Sequence, residues 1–384
     1  MKFIDDLKDT PVLIVTGTGG VGKTTMSCAL AIALAQENNA RVLVITIDPA
    51  RRLASVLCED SLDHTPRAID HSRFVEGKKT DGEVFAAMVD TQVGWKEIVN
   101  RYAKSEKDAN RIFSNKLYRN LTSRFSHSHD FVAMDQLYEH YRSGSFDFIV
   151  LDTPPTSQAF GFFDAPQAMS DFFGGRLVKL ITSPYRLGSG RAAKLFDLAS
   201  QPFFALADKV LGKQFLNDIG EFFFLFHTMY DDFVDRATSI TEFLTSSRVH
   251  ATLVMSPTQF ISRSYESMCD GLNDRKINLD YLVVNNVAFS PSDDTEILDF
   301  VESSEAKSPK KIDSAIARFM RNDWNISQEV YHELENRHDS FKERRGASEQ
   351  PVVIARRALA LDELQRVCEL VSDVQNTHEF DDTI

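Results

Sequence analysis

The sequence predicts an α/β fold in which helices cover both faces of a doubly wound, mainly parallel sheet, with an α-helical subdomain inserted into it. Apolar runs of strand length recur along the chain, helical patterns separate them, and a glycine-rich loop joins the first run to the first helix. Continuous Val, Ile and Leu runs without polar alternation are typical of parallel strands that are buried on both faces. These patterns therefore predict a parallel sheet with helices on both of its faces.

Six apolar segments are expected to be strands. They are 11–15, 41–47, 146–151, 251–255, 281–286 and 352–354. The carboxyl ends of parallel strands lie at one edge of a sheet, and ligands bind there. Polar residues that follow these segments are therefore the candidates for a functional site.

The loop after the first segment has the strongest motif in the chain. Residues 17–25 read GTGGVGKTT, which fits the spacing GxxxxGK[ST] between a strand and a helix. Backbone N–H groups of such a loop point at phosphate oxygens, and the following helix adds the positive end of its dipole. The alternative is a glycine turn that only connects the two elements. We expect phosphate binding by Gly19, Gly20, Val21, Gly22, Lys23, Thr24 and Thr25.

Two aspartates follow neighbouring strand candidates and are expected to lie near this loop. Asp152 closes the third segment and suits a carboxylate near Mg²⁺, for which the Thr24 hydroxyl is the other candidate ligand. Asp48 closes the second segment and suits a group that orients the attacking water. The alternative for each aspartate is a helix N-cap. Asp48 and Lys23 are thus the predicted catalytic residues, and ATP with Mg²⁺ the predicted ligands.

Composition excludes several other classes of function. The chain has 384 residues and a formal net charge of −13, so a broad basic face for nucleic acid or anionic lipid is not expected. No window is apolar enough for a membrane span, and the first residues do not resemble a signal segment. The four cysteines are far apart and form no CxxC pair. We therefore expect a cytoplasmic protein with reduced thiols.

The domain prediction is one P-loop ATPase domain over 1–384, with helical insertions at 73–140 and 165–249 forming a subdomain and a polar helical connection at 290–350. Residues 215–244 have apolar side chains at steps of three and four, which predicts one helix with a wide apolar stripe. A second stripe lies within 195–210. Packing against other helices or a sister subunit is one explanation, and a groove for an apolar client is the other.

Three segments together resemble the deviant-Walker ATPases typified by the arsenite-pump ATPase ArsA and the ATPase that targets tail-anchored membrane proteins. They are the GTGGVGKTT loop, the IDPARRL segment after the second strand and the LDTPPTSQAF segment after the third. The resemblance runs in order over most of the chain and is closest to bacterial single-copy ArsA-like proteins. It implies that Asp48 positions the hydrolytic water, that Asp152 belongs to switch II beside Mg²⁺, and that Asn285 contacts adenine. It also implies a homodimer, because only one phosphate loop is present.

Three departures from the family pattern affect these expectations. Thr18 replaces the signature lysine that reaches the partner's nucleotide, so hydrolysis is expected to be slow unless another cation substitutes. Arg51 or Arg52 is the candidate, and a solvated helix start is the alternative for both. Gln158 replaces a switch II histidine of the targeting ATPases. The zinc-binding CxxC pair of the eukaryotic targeting ATPases is missing, so a metal-clamped dimer is not expected.

Two functional hypotheses lead, while a small-molecule kinase on the same scaffold stays open and a positioning ATPase that polymerises on DNA or membranes ranks low. The first is an ATP-switched homodimer that binds an apolar protein client or a membrane-protein partner through the helices after switch II. The second is the catalytic ATPase subunit of an anion or metalloid export pump. Adenine is favoured over guanine because the sequence has no NKxD motif.

Overall fold

The computed structural model describes most of the chain and divides it into two compact units. Unit 1 comprises Met1–Met88, His140–Ala159 and Thr245–Ile384, and unit 2 comprises Val89–Glu139 and Phe160–Leu244. The residues described within them are 4, 7–48, 52–74, 81–116, 118–119, 122, 126–154, 159–174, 222–226, 229–288, 322–334, 352–356, 367 and 371.

Unit 1 is built around the sheet. Its strands are β1 Val12–Thr16, β2 Arg41–Thr46, β3 Arg67–Ile69, β4 Glu83–Met88, β5 Phe148–Asp152, β6 Val249–Met255, β7 Asn278–Val287 and β8 Val352–Arg356. The helices that accompany them are α1 Lys23–Asn38, α2 Arg52–Val56, α9 Pro257–Ile261, α10 Ser264–Asp274 and a helix over 322–334, with short 3₁₀ turns at Leu7–Asp9 and His71–Phe74. Among the helices that the structure describes, none is long and apolar enough to cross a membrane.

Within the described residues, the sheet has eight strands in the order β3-β4-β2-β5-β1-β6-β7-β8. Of these eight strands, only the short edge strand β3 is antiparallel to its neighbour, so the other seven run in one direction. Strand β5 lies between β1 and β2, with Asp152 in register with both Val15 and Thr46. The carboxyl ends of these three central strands therefore meet, and the predicted doubly wound, mainly parallel α/β fold is confirmed.

Helix α1 forms the main packing contact on this sheet. Residues 26–35 of the helix are all buried, because their sequence, MSCALAIALA, presents apolar or small side chains on every face. A helix that is apolar all round is stable only when neighbours cover it on all sides. Its depth in the core holds the preceding glycine loop firmly against the strand ends.

The predicted helical insertion at 73–140 begins too early. Glu83–Met88 is strand β4, which pairs in parallel with all six residues of β2, and Arg67–Ile69 is strand β3 beyond it. The sequence EVFAAM contains alanine and methionine, which favour helix, but pairing with β2 determines the local structure. The six strands expected from the sequence are all present, and these two were missed.

Unit 2 is helical within the described residues. Its helices are α3 Thr91–Tyr102, α4 Glu106–Ser114, α5 from Ser126–Ser143, α6 Ala159–Phe163, α7 Ala165–Gly174 and α8 Tyr230–Leu244, with helical residues also at 222–226. Helix α5 passes into the residues of unit 1 at its last turn, and α6 begins at Ala159, the last residue of the middle segment of that unit. The single helix predicted over 215–244 is wrong, because Met229 lies in a turn directly before α8 begins.

Aromatic side chains form the core of unit 2. Trp95 is fully buried and contacts Phe131, Phe173, Phe226 and Phe233. The rings of Phe173 and Phe226 stack with their centroids 3.6 Å apart. The phenylalanines of the predicted stripe that the structure describes are therefore packing residues. The second stripe, within 195–210, lies outside the described residues.

Candidate functional site

The glycine loop needs glycine at two positions. Gly17 has φ 145°, and a Cβ atom there would lie 2.1 Å from the Val254 carbonyl oxygen of β6. Gly22 has φ 88°, and a Cβ there would lie 2.3 Å from Nδ2 of Asn285. A side chain fits neither backbone conformation nor the space available. The loop is thus held between two strand ends in a conformation that only glycine adopts easily.

The loop leads directly into the N-terminus of α1. Gly22 is the N-cap residue, and no side chain of the described residues caps the first-turn N–H groups. Uncapped N–H groups together with the helix dipole make such an end suitable for an anion. Gly19 and Gly20 at the tip of the loop are exposed, and Thr25 is partly buried in the first helical turn. The backbone of this loop has the features of a phosphate cradle.

Lys23 is almost completely buried at the start of α1. Its Nζ atom donates a hydrogen bond to the Thr18 carbonyl oxygen at 2.8 Å. Burial lowers the pKa of Lys23, while the negative charges of Asp152 and Asp48 act in the opposite direction. A phosphate would stabilise the charged ammonium in the same way as these carboxylates do.

Asp152 is the most deeply buried acid of the site. Its Oδ2 atom accepts hydrogen bonds from the hydroxyls of Thr24 and Thr46, each at 2.9 Å, and the Ser27 hydroxyl lies 3.5 Å from Oδ1. Burial raises the pKa of Asp152 to about 6 despite these donors. No Lys or Arg nitrogen among the described residues forms an ion pair with this carboxylate. Its hydrogen bonds come from hydroxyls, and the nearby charge of Lys23 acts on it without forming an ion pair, so the carboxylate is only partly compensated.

The oxygen donors at this point fit a magnesium ion. Mg²⁺ prefers carboxylate, hydroxyl and water oxygens, and the Thr24 hydroxyl and the Asp152 carboxylate converge within hydrogen-bond distance. A divalent cation would compensate the charge of this buried carboxylate directly. Thr24 and Asp152 are therefore the residues that would hold the ion, directly or through its water ligands.

Asp48 lies beside this group, two residues beyond β2. Its backbone N–H donates to the Thr46 hydroxyl at 3.2 Å, and its Oδ2 atom lies 3.4 Å from Nη1 of Arg52. The Asp48 side chain is 11% exposed and the Arg52 side chain is 58% exposed. The structure thus brings Asp48, Lys23 and Asp152 together and adds a cation that faces solvent.

Asn285 is also part of the site, but its contact differs from the one expected. Its Nδ2 atom donates to the Val21 carbonyl oxygen at 2.8 Å, so the side chain supports the glycine loop from the end of β7. An adenine contact by Asn285 stays a prediction. Pro155–Gln158 of the switch II segment and Arg51 lie outside the described residues, so the expectations for Gln158 and Arg51 stay predictions as well.

The sequence did not point to three residues of this site. Thr46 and Ser27 donate to Asp152, and Gln259 of α9 donates through Nε2 to the Thr18 hydroxyl at 2.6 Å. The position of Thr46 at the end of a strand beside the strand of Asp152 could have indicated its role. Gln259 is 241 residues away from Thr18, and no sequence motif connects the two.

Comparisons with known proteins agree on the kind of protein. A family model described as anion-transporting ATPase matches residues 10–329. The chain is 26% identical to the ATPase GET3 of Podospora anserina over 203 residues, which cover 50% of this chain and 56% of that protein. It is 26% identical to an ATPase ASNA1 homolog of Cryptosporidium parvum over 296 residues, 75% of this chain and 68% of that protein.

A relative whose name refers to a pump matches a shorter part of the chain. The chain is 29% identical to an arsenical pump-driving ATPase of Escherichia coli over 177 residues, which cover 45% of this chain and 28% of that protein. The chain thus spans about half the length of the GET3 relative and about a quarter of the pump ATPase. The family model covers well over half of the sequence, and the glycine loop, the two aspartates and strands β1 to β7 all fall inside it. The chain therefore belongs to the anion-transporting ATPase family.

Proposed function

We propose that this chain binds Mg·ATP at the glycine loop and hydrolyses it to ADP and phosphate. The observation that carries the proposal is the convergence of Lys23, Thr24, Asp48 and Asp152 at the end of the central strands, beside an uncapped helix N-terminus. A phosphate-binding backbone next to a buried, only partly compensated carboxylate suits a triphosphate with a divalent cation better than a neutral ligand.

The roles of the residues follow from their positions. Lys23 neutralises the β- and γ-phosphate oxygens, and Asp48 accepts a hydrogen bond from a water molecule in line with the γ-phosphate. The bond from the γ-phosphorus to the bridging oxygen breaks and ADP keeps the electron pair, while the water oxygen bonds to phosphorus and its proton passes to the phosphate product. Bound Mg²⁺ supplies positive charge to the phosphate oxygens.

We further propose that the protein acts as a homodimer whose assembly depends on the bound nucleotide. The chain carries one phosphate loop, and the relatives it matches include the GET3 and ASNA1-homolog ATPases. An apolar client or a membrane-protein partner belongs to the same proposal. The described phenylalanines Phe222 and Phe226 are buried in unit 2, so the client would contact other residues.

The export-pump function is the alternative. The Escherichia coli relative carries the name arsenical pump-driving ATPase, but a metalloid site needs soft thiolates held together. Among the described cysteines, Cys28 is buried, Cys58 is exposed and Cys269 is intermediate, and no group of three metal-binding side chains was found in the part of the chain that is described. The client-binding switch is therefore preferred.

Phosphate release and solution mass test the proposal together. We expect the wild type to release phosphate from ATP only with Mg²⁺, and to change from monomer to dimer mass with a non-hydrolysable ATP analogue. GTP serves as the control for base selectivity. Release that is stimulated by arsenite or antimonite would favour the pump alternative, and no release under any condition would refute ATP hydrolysis.

A further inference from the structure

Thr18, at the position of the family's signature lysine, is held within its own chain. Its carbonyl oxygen accepts from Lys23, and its hydroxyl accepts from Gln259. Gln259 is itself fixed, because its side chain and backbone form a capping box with Ser256 at the start of α9. Thr18 is therefore engaged at both of its oxygens by residues of the same chain and brings no positive charge to the site.

The site nevertheless needs a second cation. Charge builds up on the transferring phosphate and on the leaving oxygen, and hydrogen-bond donors or cations that face this charge account for much of the rate in phosphoryl transfer. Lys23 is the one cation in the loop sequence GTGGVGKTT. A hydroxyl at position 18 cannot replace a charge, so the cation has to come from another element.

Arg52 is in position to supply it. It is the first residue of α2, and its Nη1 atom lies 3.4 Å from Oδ2 of Asp48. The Asp48 N–H donates to the Thr46 hydroxyl, and this hydroxyl donates to Asp152. Arg52 thus borders the group of residues around the expected γ-phosphate.

The Arg52 guanidinium has more N–H donors than its contact with Asp48 uses. Asp48 is its one ion-pair partner within the described residues, and more than half of the Arg52 side chain is exposed. A guanidinium has five N–H donors in a planar fork that matches phosphate oxygens in pairs. It can therefore contact Asp48 and a phosphate at the same time.

On the basis of the function proposed above, we propose that Arg52 is a catalytic residue that contacts the γ-phosphate within its own chain and replaces the missing signature lysine. The site would then hold the charge required for hydrolysis without a lysine from a partner subunit. Asp48 orients the water and at the same time holds the guanidinium beside it.

The variants Arg52→Ala and Arg52→Lys test this assignment. We expect Arg52→Ala to lower kcat about 100-fold, as for removal of one donor to a transition-state oxyanion, with the Kd for Mg·ADP changed less than about twofold. Arg52→Lys keeps the charge but not the planar fork, so its kcat should lie between those of Arg52→Ala and the wild type. Arg67→Ala is the matched control, because Arg67 forms a similar exposed i,i+4 pair with Asp63 at 3.7 Å, and its kcat should equal that of the wild type.

The double variant Arg52→Ala/Asp48→Asn separates contact with phosphate from positioning of Asp48. If Arg52 contacts the phosphate, its removal lowers kcat further in the Asp48→Asn background. If it only positions Asp48, removal has no further effect, and the assignment is overturned. Arg52→Ala with wild-type kcat overturns this inference alone, whereas a wild type that does not hydrolyse ATP overturns the proposed function and this inference together.

Discussion

Replacing Asp152 by asparagine should stabilise the nucleotide-free protein while it abolishes Mg²⁺-dependent ATP binding. Asp152 is fully buried, and two threonine hydroxyls donate to its Oδ2 atom. Asparagine has nearly the same shape and can still accept these hydrogen bonds through Oδ1, but it carries no charge to desolvate. The buried charge of Asp152 therefore lowers the free energy of unfolding of the nucleotide-free protein.

The magnitude follows from the pKa of Asp152. Burial raises it from 3.8 to about 6. The folded protein then binds more protons than the unfolded chain between about pH 4 and 6, so the free energy of unfolding falls as the pH rises through this window. The loss is about 3 kcal/mol by the upper end of the window. An asparagine side chain does not titrate, so the Asp152→Asn variant avoids this loss.

Urea unfolding followed by circular dichroism between pH 4 and 8 measures the effect. We expect the stability difference between Asp152→Asn and wild type to grow by about 2.5 kcal/mol in favour of the variant from pH 4 to 7. Asp60→Asn is the control, because the Asp60 side chain is exposed and makes no hydrogen bond or ion pair among the described residues, and its difference should stay within about 0.5 kcal/mol. A difference for Asp152→Asn that does not change with pH would refute the reasoning.

Three further predictions concern Asp48, the glycine loop and the aromatic core of unit 2. Asp48→Asn should lower kcat about 100-fold or more and leave the Kd for Mg·ADP nearly unchanged in calorimetry; equal losses in both would argue against the role of Asp48. Gly17→Ala should weaken ATP binding and lower the melting temperature, because its Cβ would lie 2.1 Å from a backbone oxygen. In Gly20→Ala the new Cβ meets no atom within 4 Å, so the free energy of unfolding should fall by only about 1–2 kcal/mol from the positive φ. Equal effects of the two alanines would contradict the steric account. Phe226→Ala should destabilise the protein by about 3–5 kcal/mol in urea unfolding, whereas Phe224→Ala should cost clearly less because Phe224 is only partly buried. A Phe226→Ala protein that stays folded and loses only client binding would show that Phe226 contacts the client.

Local sequence patterns predicted the central part of the fold and the main residues of the site. The apolar runs around the loop are long and lie next to turn residues, so β1, β2 and β5 were predictable from pattern alone. Because parallel strands end at one edge, Asp48 and Asp152 were expected near Lys23, and the structure brings all three together. These predictions needed only local sequence and the geometry of parallel sheets.

Contacts between distant segments determine what the sequence did not reveal. Strand β4 has a helix-favouring sequence that pairing with β2 overrides, and β3 is only three residues long. Gln259 reaches Thr18, and Asn285 reaches Val21, from more than 200 residues away. Apolar periodicity in 215–244 showed that one face is buried, but not whether this chain or a client covers it.

Calorimetric titration with Mg·ATP of the wild type and of Lys23→Ala tests the central claim most directly. The Lys23 ammonium is the charged donor that the loop directs at phosphate, and removal of a charged hydrogen bond costs about 1.5–3 kcal/mol, so the affinity should fall about 10- to 150-fold. The account predicts a clear binding isotherm for the wild type that is weakened to this extent in the variant. Equal affinities, or no binding by the wild type, would contradict it.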